Sequence, residues 1–174
     1  MKKITLLSLI ITSCVAAFAD YENYDGQDVS GQDFSRRSLK NSSWVEASAS
    51  SALFRSVNLT YANFTKAYAT SANFEYANLA EANFTNANLT SAYFVMATLV
   101  NANFTNATIN NASFRGAAVR GFTTEQLYST KSYQDKNLSG VIFAANGLSE
   151  WNLDGQNLTS ASFDYATLTN ADFT

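Results

Sequence analysis

Ala62-Asn63-Phe64-Thr65 returns unchanged as Ala82-Asn83-Phe84-Thr85 and again as Ala102-Asn103-Phe104-Thr105, at intervals of twenty residues. A finer period lies inside that interval. Bulky apolar residues stand at every fifth position from Val29 through Phe34, Leu39 and Trp44 to Val119, with Ala49 and Ala69 as smaller members. Alanine stands two residues before every such centre from Ala62 to Ala117. A second series, one residue out of phase, runs from Leu138 through Phe143 and Phe163 to Phe173. Eleven of the thirteen phenylalanines are centres, which rules out chance as the source of the pattern.

A period of five matches neither a helix at 3.6 nor a flat strand at 2. It suits a short straight segment with two inward positions, followed by a corner. Four such sides close a square coil of twenty residues, and self-similarity at that period is the mark of a solenoid. Successive coils would pair like strands, about 4.8 Å apart.

The runs ANLAEANFTNANLTSAYF (residues 77–94) and ATLVNANFTNATINNASF (97–114) resemble the pentapeptide-repeat family, whose pattern is Ala-(Asp/Asn)-Leu/Phe-x-x. The likeness spans 27–121 and 136–174, and the segment between them resembles a module of secreted bacterial members. It implies an all-β solenoid: a right-handed quadrilateral β-helix of about 20 residues per coil, with each centre and the residue two before it pointing inward. Phe54, Phe74, Phe94 and Phe114 should then stack on one side. Trp44, Phe64, Phe84 and Phe104 should stack on the opposite side, with Leu59, Leu79, Leu89 and Leu99 on the remaining two. Ala49 and Ala69 fall on one side in adjacent coils, where a thinner core is expected.

Five segments follow. Residues 1–19 read as a signal peptide: Lys2 and Lys3, a short apolar run, then Ala17-Phe18-Ala19. A lipoprotein signal anchored through Cys14 is the alternative reading. Either way the chain is expected to be exported, periplasmic or extracellular, with no transmembrane segment after cleavage. Residues 20–46 are expected to form an N-terminal capping segment and first coil, irregular because Gln27, Gln32 and Arg37 replace the inward alanine. The main column is 47–121. No glycine lies between 32 and 115, so its coils are expected to need no special dihedrals. Residues 122–136 are an insert: Thr123 and Gln126 have capping-box spacing, predicting a short helix from Thr124 to about Ser129 and a loop to Lys136. The second block, 137–174, is expected to begin afresh, and its last coil to be covered either by another copy of the chain or by residues beyond 174.

Composition removes much chemistry. There is no histidine, and the single cysteine is Cys14, so beyond the leader an ordinary zinc site of Cys and His or a His-based triad is excluded. No cofactor is expected and the chain reads as non-enzymatic. Without Lys2 and Lys3, nine basic residues face fourteen acidic ones, which gives no electrostatic reason to bind nucleic acid. One branch of the family mimics DNA with an acidic rod and shields gyrase. Here residues 28–120 hold five acids and seven bases, and 82–114 hold no charge, so that role ranks last.

Two outward features remain. Tyr93, Val95 and Met96, with Tyr76 one coil below, form an apolar cluster suited to an unidentified protein or envelope component. Asn63, Asn83 and Asn103 beside Thr65, Thr85 and Thr105 form polar columns that could recognise polysaccharide or ice. The first makes the chain a structural or interaction module, the second a ligand-binding β-helix.

Overall fold

The computed structural model describes residues 21–174, so the signal-peptide and Cys14 expectations lie outside the described residues. Parallel bridges link residues twenty apart without a break from Asn23↔Ser43 to Tyr93↔Ser113. Each centre donates its N–H to the coil above, as Phe64 does to the Asn83 carbonyl at 2.7 Å. The residue before it donates to the coil below, as Asn63 does to the Ser42 carbonyl at 2.9 Å. The corner N–H donates upward as well, as Lys66 does to the Thr85 carbonyl at 2.9 Å, and these three bonds per side, repeated on four sides, weld the coils into the right-handed quadrilateral β-helix.

Phenylalanine builds the interior. Phe54, Phe74, Phe94 and Phe114 stack with centroids 4.9–5.1 Å apart and planes within 9°. Opposite them, Trp44, Phe64, Phe84 and Phe104 stack at 5.1–5.4 Å. The two piles meet edge to face across the axis, for example Phe74–Phe84 at 5.7 Å and 78°, the geometry that ring quadrupoles favour. Leu59, Leu79, Leu89 and Leu99 close the other two sides and, like all these rings, are fully buried.

The corners overturn the glycine expectation. Two residues after each centre the backbone turns left-handed: among the described residues 22 non-glycine residues have positive φ, all but Lys136 at such a corner, and those from Arg36 to Asn111 recur every fifth position. The centre's carbonyl accepts from the N–H three residues on, as in Ala67 to Phe64 at 3.0 Å, the arrangement of a type II turn. Gly26, Gly31 and Gly116 sit at this same corner position. Serine, asparagine, tyrosine, glutamate, arginine, lysine, methionine and alanine fill it elsewhere, and among the described residues valine, isoleucine and threonine never do. A β-branched side chain there collides with its own backbone.

The opening coil is also regular, against expectation. It bridges Asn23 to Ser43 and Asp28 to Ser48 and turns at Gly26 and Gly31. Tyr24, which the sequence reading passed over, is one more centre, stacked on Trp44 at 4.0 Å. Polar side chains do the capping. Arg37 stays outside, pairs with Glu22 at 2.9 Å and lies over the Phe34 ring at 5.5 Å.

The first block ends one pentapeptide early. Val119 is no centre: it is 78% exposed in the 3-10 turn Ala118–Arg120. Phe122 turns inward instead and stacks on Phe114 at 4.3 Å. Helix α1 spans Thr124–Tyr128 with the Thr123/Gln126 capping box formed, and a second helix, α2, spans Lys131–Gln134 where a loop was expected. The second block does not begin afresh. Ser113 bridges to Ile142, and the Phe114 ring stacks on Phe143 at 6.2 Å, so a coil of 29 residues is absorbed and the ladder continues.

Candidate functional site: the outward faces

Side chains of the insert replace the ladder groups that a regular coil would supply. The Gln126 amide donates to the carbonyls of Leu99 and Ala102, both at 2.8 Å. The Ser132 hydroxyl accepts from the Ile109 N–H at 2.9 Å. Tyr128 and Tyr133, stacked at 4.5 Å, take the N–H and the carbonyl of Asn152 between them. Asn146, buried where alanine was expected, accepts from the Ala118 N–H and donates to the carbonyls of Phe114 and Phe143. Gln126, Tyr128, Ser132 and Tyr133 of the insert are thus engaged in joining it to the two blocks.

The Asn/Thr columns stand on the side whose interior is Phe64, Phe84 and Phe104. Each asparagine accepts at Oδ1 from the N–H of the threonine two residues on, at 2.9–3.1 Å. Thr65, Thr85 and Thr105 each donate their hydroxyl to the same oxygen at 2.6 Å. Asn83 Nδ2 reaches down to Thr65 Oγ1 at 3.1 Å. This is an Asx-type turn repeated coil after coil, and it explains the wording Asn-Phe-Thr by local backbone chemistry. The threonine protons are spent inside the fold. At the top of the columns, Asn103 and Thr105 meet Thr123 and Glu125 of the insert around a polar cleft of ≈ 380 Å³.

The Phe54 side differs in character. Its outward bridge column runs from Asp33 through Leu53, Asn73, Tyr93, Ser113 and Ile142 to Ser162. Tyr76 is 55% and Tyr93 45% exposed, and Leu53, which the sequence reading missed, is 37% exposed. Val95 and Met96 are half-buried, Met96 because its Sδ lies over Gly116, 2.5 Å from where a Cβ would stand. Leu53 and Ile142 were legible, since both immediately precede a centre and must point outward. Tyr61 and Tyr68 are also exposed but stand on other sides. Below the cluster, Asp33, Ser35, Arg36, Leu53 and Arg55 line a recess of ≈ 510 Å³. Arg55 pairs with Glu75 at 3.0 Å.

The hydroxyl and N–H of Ser30 hold Asp28 below the usual range, and those of Ser35 do the same for Asp33. Among the described residues no cluster of His, Cys, Asp and Glu could hold a metal ion. No helix among them is long and apolar enough to cross a membrane.

A family profile described as pentapeptide repeats matches in 8 copies, over residues 33–68, 70–106, 96–122 and 137–174. A comparison with curated proteins gives no match. Solved structures that resemble the chain include HetL of Nostoc sp. strain PCC 7120, a pentapeptide repeat protein involved in heterocyst differentiation regulation. It shares 21% identity over 87% of this chain and 82% of its own, with a TM-score of 0.33. Rfr23 of Cyanothece 51142 shares 21% identity over 82% of this chain and 64% of its own, with a TM-score of 0.36. A pentapeptide repeat protein of the Arabidopsis thaliana thylakoid lumen shares 32% identity over 54% of this chain and 69% of its own, with a TM-score of 0.27.

Proposed function

The chain belongs to the pentapeptide repeat family, and from that premise we propose that it is an exported interaction module without catalytic activity. It works as a rigid rod that presents one face to a protein partner in the envelope. The observation that carries this reading is the clustering of Leu53, Tyr76, Tyr93, Val95 and Met96 on one side of the column, whereas Tyr61, Tyr68 and Val100 are exposed singly elsewhere. Exposed apolar groups concentrated on one face mark contact surfaces. Export rests on the residue pattern of positions 1–19.

Two measurements test it. The mass of the protein recovered from the exported fraction should correspond to a chain beginning at Asp20. Capture of envelope proteins should fall at least tenfold with Met96→Glu and stay unchanged with Thr85→Lys, on the Asn/Thr side. Retention inside the cell, or equal capture by both variants, refutes the reading.

A second reading, recognition of a neutral polysaccharide, is favoured by the cleft where Asn103 and Thr105 meet Thr123 and Glu125. A glycan array answers it: binding abolished by Thr105→Lys would move the site from the apolar face to that cleft.

A further inference from the structure

The apolar cluster lies at the midpoint of a face on which Glu75 and Arg115, opposite in charge, stand one level to either side in the same column. The bridge column on the Phe54 side has seven levels from Asp33 to Ser162, and Tyr93 is the fourth. Carbonyl ladders from Arg55, Glu75, Val95 and Arg115 to the corner below each fix the neighbouring columns in the same register. One level below the midpoint stands Glu75, and one level above it stands Arg115 in the same column. Two levels below stands Leu53, and two above stands Ile142, also in one column. Three levels below stands Arg36, and three above stand Asp164 and Tyr165. Acids and bases on this face are equal in number, three of each: Asp33, Glu75, Asp164 and Arg36, Arg55, Arg115.

We propose that this face binds a second copy of the chain, two rods lying antiparallel about a two-fold axis through the Tyr93–Met96 level. This rests on the contact-face reading above and names its partner. A two-fold axis running across the face turns the partner end for end while keeping each column opposite itself. Residue i then meets j, and j meets i, as an isologous interface requires. Glu75 meets the other copy's Arg115, Leu53 meets Ile142, and Tyr93, Val95 and Met96 meet their own copies. Tyr165, 89% exposed at a left-handed corner, projects toward the recess lined by Arg36, Leu53 and Arg55. There its ring has guanidinium groups and an apolar floor to pack on. Arg115 is exposed and has no ion-pair partner among the described residues. A parallel arrangement sets each level against itself and leaves Glu75 and Arg115 about 10 Å apart along the axis, two ladder spacings.

The symmetry makes a decisive experiment possible with the full chain. Sedimentation velocity should show the wild type as a dimer. Glu75→Arg and Arg115→Glu, each alone, set like charges together twice and should weaken dimerisation at least tenfold. Mixed in equal amounts, the two variants should pair with each other, because both contacts are then restored. Unchanged thermal melts establish that the single variants are folded. In a Cys14→Ser background, Val95→Cys should form a disulfide with its own copy on oxidation. Ser35→Cys and Asp164→Cys should cross-link only when mixed. A wild type that sediments as a monomer, a mixture that stays monomeric, or self-cross-linking of Asp164→Cys overturns the proposal. A monomeric wild type whose Met96→Glu variant still loses its envelope partner leaves the contact face standing and removes only the dimer.

Discussion

The side-chain amide of Gln126 donates to the Ala102 carbonyl at 2.8 Å, in the place where a backbone N–H of the next coil would otherwise bond. With its second donation, to Leu99, this one amide satisfies two interior carbonyls at the point where the strand is missing. Replacing Gln126 by leucine keeps its bulk, leaves the Ala102 carbonyl without a partner and leaves the Leu99 carbonyl only its turn bond from the Ala102 N–H at 3.0 Å. Stability should drop by about 1–3 kcal/mol, measured by urea denaturation. Amide exchange should quicken first in 122–136. A change under about 0.5 kcal/mol would mean that water takes over the role.

The left-handed corners give a test between neighbours in sequence. Ser91 has φ 58°, and Thr90 beside it is not among the positive-φ residues. Ser91→Val should cost about 1–3 kcal/mol, whereas Thr90→Val should stay within about 0.5 kcal/mol. Equal effects in thermal melts would show that the corners carry no strain worth counting.

Position along the rod sets the value of a ring. Phe84 is fully buried between Phe64 and Phe104, while Phe173 is 44% exposed in the last described coil. Phe84→Ala should therefore cost about 3–5 kcal/mol. Phe173→Ala should cost less than half as much, read from the same denaturation curves.

Tyr24 links the cap to pH. Burial, then the hydrogen bond and charge of Glu22, push its hydroxyl from the ordinary 10.0 up to about 12. The folded state thus prefers the neutral phenol. That preference contributes fully below pH 10 and is lost as pH rises through about 12. The melting temperature of wild type relative to Tyr24→Phe should be constant up to pH 10 and fall above it. Parallel decline of both proteins would place the alkaline sensitivity elsewhere.

The interior was almost wholly legible because one rule, inward at the centre and two residues before it, governs every side. Phe54 through Phe114 could be assigned to one pile by counting in twenties. The corners escaped because a left-handed dihedral leaves no positive signature outside glycine. Its trace is the missing Val, Ile and Thr in one column, visible only once the corner is known. Tyr24 was overlooked because counting began at Val29, and Val119 was misassigned because the period continues on paper where the chain has already left the coil. For the outward faces, the cluster at Tyr93–Met96 could be read and Leu53 added by counting in twenties, but Ile142 joins their column only when the 29-residue coil is known to preserve the ladder. The Asn/Thr columns looked like an array awaiting a ligand. Their hydroxyls prove to be occupied one residue pair at a time by the turn itself.

The coil of 29 residues has a consequence for how such a chain can change in evolution. Duplicating or deleting one full winding alters the rod's reach by a fixed step and leaves its cross-section untouched. A gain of any other length must arrive with amides, hydroxyls and phenols placed to stand in for the interrupted backbone, as Gln126, Ser132 and Tyr128 do here. Length variants among descendants of this gene should therefore cluster at whole windings, and the rare exceptions should carry their own polar splice.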